Sequence, residues 1–389
     1  MTTRNDTDLP DPDEVIPGIG SERPQLRSVP EPLPAGLVSA WVATLDPGYF
    51  ALVMATGIVS IGGRLLGHRA LAEVLLAATV AGFVILLAAY ITRAVRFPSR
   101  FWASLRAPSS AVAYFTVVAG SNVLATALLS HNLWRISLAL GIVAFLLWLI
   151  LTYGLFSSII LAGNRPVLRE ITGVWLVWVV GTQSIAVLAT TLAPQLPWAT
   201  GADALSAIAV LFWSIGIVLY LILVVIIFLR LFLIETTPAE MGPAYWILMG
   251  ATAISVRAAA GILALSASAP TSLLTEVHAF VAGAAVVLWS FGSWFIPALV
   301  LFGVWRYFVR RYPWGYEPKL WSVVFPLGMY AVASVSLGRA VDFAFMRDLA
   351  AVWVWVGVGA WVAAVALMAV AFTQSLGKRR RRGAEPVKS

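Results

Sequence analysis

The chain has 389 residues, of which 60% are hydrophobic and only 11% carry a charged side chain, against about 25% charged in ordinary soluble domains. So little charge cannot cover a water-soluble protein of this size, which excludes a soluble enzyme and a nucleic-acid binder. There is no cysteine, so disulfides, Cys-ligated zinc, iron–sulfur clusters and thiol catalysis are excluded as well.

Residues 1–46 differ from the rest. They hold acidic residues at 6, 8, 11, 13, 14, 22, 31 and 46 and recurrent prolines, the composition of a disordered polar tail. A basic stretch leading into an apolar core is missing, so this is not a cleaved signal peptide.

From Pro47 onward apolar stretches alternate with short polar breaks. They predict transmembrane helices at 48–66, 71–92, 109–129, 135–160, 171–193, 204–232, 243–266, 277–304, 320–341 and 350–375. Each has about the 20 residues that a helix needs to cross about 30 Å of hydrocarbon. The expected organisation is a tail at 1–46, a transmembrane domain at 47–376 and a basic tail at 377–389. An even number of crossings puts both termini on one side. Of the 26 Lys and Arg residues, 20 fall on that side, within a chain of net charge +8. This asymmetry predicts an inner (plasma) membrane protein with cytoplasmic termini. The KRRRRG run at 378–383 fits a topology signal better than a lipid-recognition or nucleic-acid site. Trp102, Trp134, Trp198, Trp246, Trp314 and Trp321 fall at span ends, as interfacial anchors do.

The spans are of two kinds. Spans 2, 6 and 10 read as plain hydrocarbon, whereas the odd spans carry small and polar residues at mid-depth. These are Thr56, Gly57 and Ser60; Gly120, Ser121 and Asn122; Gly181, Thr182, Gln183 and Ser184; Gly250, Thr252, Ser255 and Arg257; and Gly328, Ser334, Ser336 and Arg339. The leading glycines at 57, 120, 181, 250 and 328 recur every 61–78 residues, the mark of five successive two-helix hairpins. Polar groups in hydrocarbon are costly unless they pair or meet water. Five polar-centred helices can share one water-accessible axis, with five apolar helices outside them. The competing reading is that the small residues only let helices pack closely.

Arg257 is the one strong base well inside a span. An arginine there costs about 2.5–3.5 kcal/mol on insertion scales unless it faces water or a partner. It either draws anions into a conduit, or it pairs across helices or reaches toward an interface. Arg339 and Asp342 are three apart near the end of span 9, which predicts a local ion pair. No carboxylate lies at mid-depth, His68, His131 and His278 lie near span ends without metal-ligand spacing, and no GxSxG or P-loop occurs. No enzyme activity, metal or cofactor is expected.

Two segments carry a family resemblance. The first span, PGYFALVMATGIVSIG (47–62), resembles the opening helix of the tellurite-resistance/dicarboxylate transporter family, and LWSVVFPLGMYAVAS (320–334) resembles its pore helix. That family includes bacterial tellurite-resistance channels, fungal malate permeases, sulfite efflux pumps and the plant slow anion channels. The resemblance covers about 47–375. It implies an all-α polytopic membrane protein whose ten helices form five hairpins around a quasi-five-fold central pore, often as a trimer. It also implies a phenylalanine plug, which by motif is Phe325, with Pro326 bending the helix behind it. The tails here are short beside those of the plant channels, so control by phosphorylation is not expected.

The expected function is passage of small anions or C4-dicarboxylates such as malate, with sulfite and tellurite as further substrates of the resembled family. Phe325 and Pro326 form the expected gate. Thr56, Gly57, Ser60, Ser121, Asn122, Gln183, Ser184, Ser255, Arg257 and Gly328 are the expected pore-lining positions. A small anion and the lipid bilayer are the expected partners. A proton-coupled transporter of organic acids and, more remotely, a lipid-acting membrane enzyme remain as alternatives.

Overall fold

A computed structural model describes residues 36–163 and 166–383. All regular structure among them is helical. In chain order the helices are α1 (Leu37–Ala43), α2 (Ala51–Leu65), α3 (Arg69–Arg96), α4 (Pro98–Arg106), α5 (Pro108–His131), α6 (Trp134–Leu161), α7 (Gly173–Gln195), α8 (Ala199–Leu233), α9 (Pro243–Ser268), α10 (Ser272–Val309), α11 (Pro318–Ala340) and α12 (Ala344–Gly383). Nine of these described helices are long and apolar enough to cross a membrane, and α2, at 15 residues, is a shorter apolar helix. The chain is a multi-pass helical membrane protein.

The helices sort into two layers. Of the central residues of α5, α7, α9 and α11, 83–94% are buried, against 17–44% for α3, α6, α8, α10 and α12. In α2, 11 of 15 residues are buried. The five buried helices form a closed ring: α2 packs on α5, α5 on α7, α7 on α9, α9 on α11, and α11 returns to α2. Each outer helix packs mainly on the inner helix just before it in sequence, and Val84, Ile85, Ile142, Val143, Val218 and Leu221 are among the large apolar side chains these helices expose. A lipid-facing helix must be apolar along its whole outer length. An inner helix is relieved of that demand, which is why α2 can be short.

The repeat is also written in hydrogen bonds that the sequence does not advertise. Near the end of α3, Arg93 donates to the Leu45 carbonyl just ahead of α2 at 2.6 Å. Arg230 of α8 donates to the Arg169 carbonyl ahead of α7 at 3.0 Å and to the Tyr245 hydroxyl of α9 at 2.5 Å. Arg306 of α10 donates to the Met241 carbonyl ahead of α9 at 3.3 Å and to Glu317 ahead of α11 at 2.9 Å. In the second hairpin Ser158 does the same to the Arg106 carbonyl at 3.2 Å. The three arginines count as topology charges in sequence, yet all are buried. Each clasps the entrance of its own inner helix and also reaches toward the next, Arg93 through the Tyr114 hydroxyl of α5 at 3.4 Å.

Several sequence boundaries shift. Residues 37–43, placed in the polar tail, are helical, and Val42, Ala43 and Leu45 are buried. Residues 1–35 and 384–389 lie outside the described residues. Helix α12 continues through the basic run to Gly383 instead of ending at 375. Trp321, expected as an interfacial anchor, is buried and donates to the Tyr316 hydroxyl at 3.2 Å. Trp102 on α4, Trp198 just ahead of α8 and Trp314 in the loop ahead of α11 are exposed.

Candidate functional site

The inner helices border cavities at both of their ends. At their N-terminal ends lies a cavity of about 270 Å³ lined by α5, α7, α9 and α11 and by the loop ahead of α2, with Gly48, Thr116, Thr172, Ile247 and Ser322 among its residues. At their C-terminal ends lie two adjoining lobes of about 690 and 210 Å³. These lobes share Thr191, Gln195 and Arg257, and together they draw on all five inner helices. Between the N-end and C-end cavities every residue is buried along 53–60, 118–127, 175–190, 247–256 and 324–335. On α9 that sealed stretch is ten residues, about 15 Å of helix. It ends at Arg257, and on α11 it ends at Ser336; both are partly exposed.

Charge differs between the two ends. Asp46, Glu170 and Lys319 line the N-end cavity. Asp46 accepts from the Gly48 N–H at 2.7 Å, an Asx turn that starts the approach to α2. Arg64, Arg257 and Arg339 line the C-end cavity, and no carboxylate does. Arg64 is neutralised by an ion pair with Glu73, which His131 joins at 3.2 Å. Arg257 donates to the Thr191 hydroxyl at 3.3 Å. The expected Arg339–Asp342 pair does not form. Asp342 sits in a left-handed turn with φ 49° and binds Arg347 at 2.8 Å, while Arg339 donates to the Leu65 carbonyl at 2.9 Å. Among the described residues neither Arg257 nor Arg339 has a carboxylate partner.

In the loops at the N-end, Glu240 pairs with Arg169 at 2.8 Å and approaches Arg230 at 3.5 Å. The Arg169 hydrogen bond, helped by the Thr237 N–H, holds the Glu240 carboxyl below its usual range. The same pairing raises Arg169.

Most of the polar groups singled out in sequence face the seams between helices. The Thr56 hydroxyl accepts from the Trp361 indole N–H of α12 at 3.0 Å. Ser60 donates to the Ala72 carbonyl of α3 at 2.7 Å, although it also lines the C-end cavity. Gln183 donates to the Trp213 carbonyl of α8 at 3.1 Å. Asn122 donates to Ser184 at 2.9 Å and borders an apolar cleft of about 150 Å³ among α5, α6, α7 and α8. Ser121, Ser184 and Ser255 each donate to a carbonyl of their own helix. Two further indoles repeat the Thr56 arrangement, Trp148 to Thr182 at 2.8 Å and Trp289 to Ser334 at 2.9 Å. Buried indole N–H groups need acceptors, and inner-helix hydroxyls supply them.

The leading glycines also serve packing. A Cβ at Gly57 would meet Val123 at 2.6 Å, one at Gly181 would meet Phe115 at 3.1 Å, and one at Gly328 would meet Ile58 and Val59 at 3.0 Å. One at Gly250 would meet the Pro326 ring at 2.7 Å. Gly250 thus makes the room that the proline of α11 occupies. Phe325, beside that proline, has no exposure at all. It lies one turn deeper than Ser322, which lines the N-end cavity, and residues three apart share a helix face.

A closed ring of inner helices, sheathed by apolar ones and hollow at both ends, defines a membrane transport protein. The chain belongs to the voltage-dependent anion channel family, whose sequence pattern it matches over residues 44–369. It is 41% identical over 152 residues to an uncharacterized membrane protein of Mycobacterium tuberculosis, a match covering 39% of this chain and 76% of that one. It is 26% and 25% identical over 315 residues to two uncharacterized transporters of Methanocaldococcus jannaschii, covering 77% of this chain and 85% and 86% of theirs.

Proposed function

We propose that the protein passes small anions, C4-dicarboxylates among them, along the axis of the inner ring, with Phe325 as the stopper. The observation that carries this reading is the pair of cavities at opposite ends of the inner ring, one lined by four inner helices and the loop leading into α2 and the other by all five, with buried stretches of every inner helix between them. An aromatic ring in a narrow apolar waist blocks ions by filling space and excluding water. Pro326 weakens the local helix bonding by removing a backbone donor, which lets the segment carrying Phe325 move against Gly250. Arg257 stands at the C-terminal mouth of the waist, where a positive charge raises the local anion concentration. With cytoplasmic termini, that mouth faces outward.

Replacing Phe325 with Ala tests the stopper. Anion flux into proteoliposomes is expected to rise at least about tenfold, because the side chain removed is the one that fills the waist. Unchanged flux from folded, membrane-inserted protein removes Phe325 from the account. An imposed proton gradient then separates the two transport modes: uphill accumulation of malate indicates coupling, and simple dissipation of gradients indicates a channel.

A further inference from the structure

Both arginines that lack a carboxylate partner at the C-terminal ends of the inner helices line one lobe of about 690 Å³. They come from different helices, Arg257 from α9 and Arg339 from α11. Thr190, Thr191, Gln195 and Ser336 line the same lobe and add hydroxyl and amide donors. The volume falls within the range of small-molecule sites, about 300–1,000 Å³. Among the described residues each guanidinium donates one hydrogen bond, to the Thr191 hydroxyl and to the Leu65 carbonyl respectively, out of five N–H donors on each.

We propose that this lobe is a binding site for an oxygen-bearing dianion, gripped between the guanidinium groups of Arg257 and Arg339. The proposal rests on the transport reading for its physiological use and narrows that reading to a substrate class. Two positive charges share a cavity that contains no negative one, so a doubly charged ligand restores the balance where a halide restores half. Guanidinium forks match the two-oxygen edge of a carboxylate or a tetrahedral oxyanion, a geometry a spherical halide does not present. The surrounding hydroxyl and amide groups are likewise donors to oxygen. The third arginine bordering the C-end cavity, Arg64, already has its counter-ion in Glu73, and the N-end cavity sets Asp46 and Glu170 against Lys319. The C-end lobe is therefore the place on the axis where a dianion meets no competing carboxylate.

The test is equilibrium dialysis of the purified full-length protein against labelled succinate and labelled sulfate, with chloride as competitor at constant ionic strength. Both dianions are expected to bind at least about tenfold more tightly than chloride, and Arg257→Gln and Arg339→Gln are each expected to weaken dianion binding by about tenfold. A tighter hold on succinate assigns the site to dicarboxylates, and a tighter hold on sulfate assigns it to inorganic oxyanions. Arg257→Lys and Arg339→Lys keep the charge and lose the fork. They are expected to shrink the preference over chloride, and they carry the test if a Gln variant fails to fold. Equal affinity for chloride and the dianions, or dianion binding unchanged in every variant, overturns the proposal. Because binding is read without flux, intact dianion binding together with a silent Phe325→Ala protein would remove the transport reading alone, whereas anion flux without dianion preference would remove this site alone.

Discussion

The two ends of the inner ring are built from the same five helices and differ in charge. The N-end cavity sets two carboxylates against one lysine. The C-end cavity holds three arginines, one neutralised from outside the cavity by Glu73. The difference shows that the repeat fixes a scaffold, while a few charged residues toward each end set what approaches it. On the proposed path, an anion would meet attraction on one side of the waist and a near-balanced or repelling surface on the other.

Reversing the charge at the C-end is the strongest way to break this contrast. Arg257→Glu in a Phe325→Ala background is expected to lower anion flux at least about tenfold, since two unit charges change at the mouth of a low-dielectric waist. Flux equal to that of the parent variant would show that the two ends do not differ in this way. The waist between them is probed by Gly250→Ala. The added methyl meets the Pro326 ring at 2.7 Å, so α11 must shift, and basal flux is expected to rise several-fold without any change at Phe325; a tight, unchanged protein would detach the Gly250–Pro326 contact from the seal. At the N-end, Glu170→Gln removes one carboxylate and is expected to raise flux about two- to threefold, less than the change at Arg257 because Glu170 is exposed to screening solvent and Arg257 is only partly so. No rise at low salt would argue that Glu170 sits too far from the anion path to be felt.

The smallest effect concerns pH and lies at the loops near the N-end. The Glu240 carboxyl is held below its usual range by Arg169 and the Thr237 N–H. A depressed folded-state value means that the pairing stabilises the protein fully above the ordinary carboxylate range and loses that contribution as pH falls through the folded value. Thermal stability is therefore expected to hold between pH 7 and pH 5 and to decline slightly further into acid, with a smaller decline in Glu240→Gln. The exposed setting makes the effect salt-sensitive, and an identical acid profile in the variant would assign the decline elsewhere.

The layering was legible in the sequence because it follows from a demand on whole helices. Lipid-facing α3, α6, α8, α10 and α12 cannot carry polar groups on their outer surface, whereas the interior tolerates them. The facing of individual residues was not legible. Composition at mid-depth says how deep Thr56 or Gln183 lies and says nothing of the direction in which it points, and both point to an outer helix. A usable signal was present in the internal tryptophans, since Trp148, Trp289 and Trp361 each need a buried acceptor. Arg257 stood out because nothing else charged lies so deep. Arg339 was assigned to Asp342 by spacing alone, and the left-handed turn at Asp342 defeats that inference by aiming the carboxylate at Arg347. The clasping role of Arg93, Arg230 and Arg306 was hidden because a basic residue at a helix end reads equally well as a topology charge.

The ring closes where the fifth hairpin meets the first, and three hydrogen bonds fasten that junction. They join Tyr49 to Tyr316 at 2.9 Å, Trp361 to Thr56 at 3.0 Å and Arg339 to the Leu65 carbonyl at 2.9 Å, spanning 267, 305 and 274 residues of chain. The other joints link hairpins that are neighbours in sequence and can form as each leaves the ribosome. This last one waits for the fifth hairpin, so until synthesis is nearly complete the first helix has one bare flank. A membrane inserting this chain holds an unfinished staircase whose bottom step is fixed only when the top one arrives.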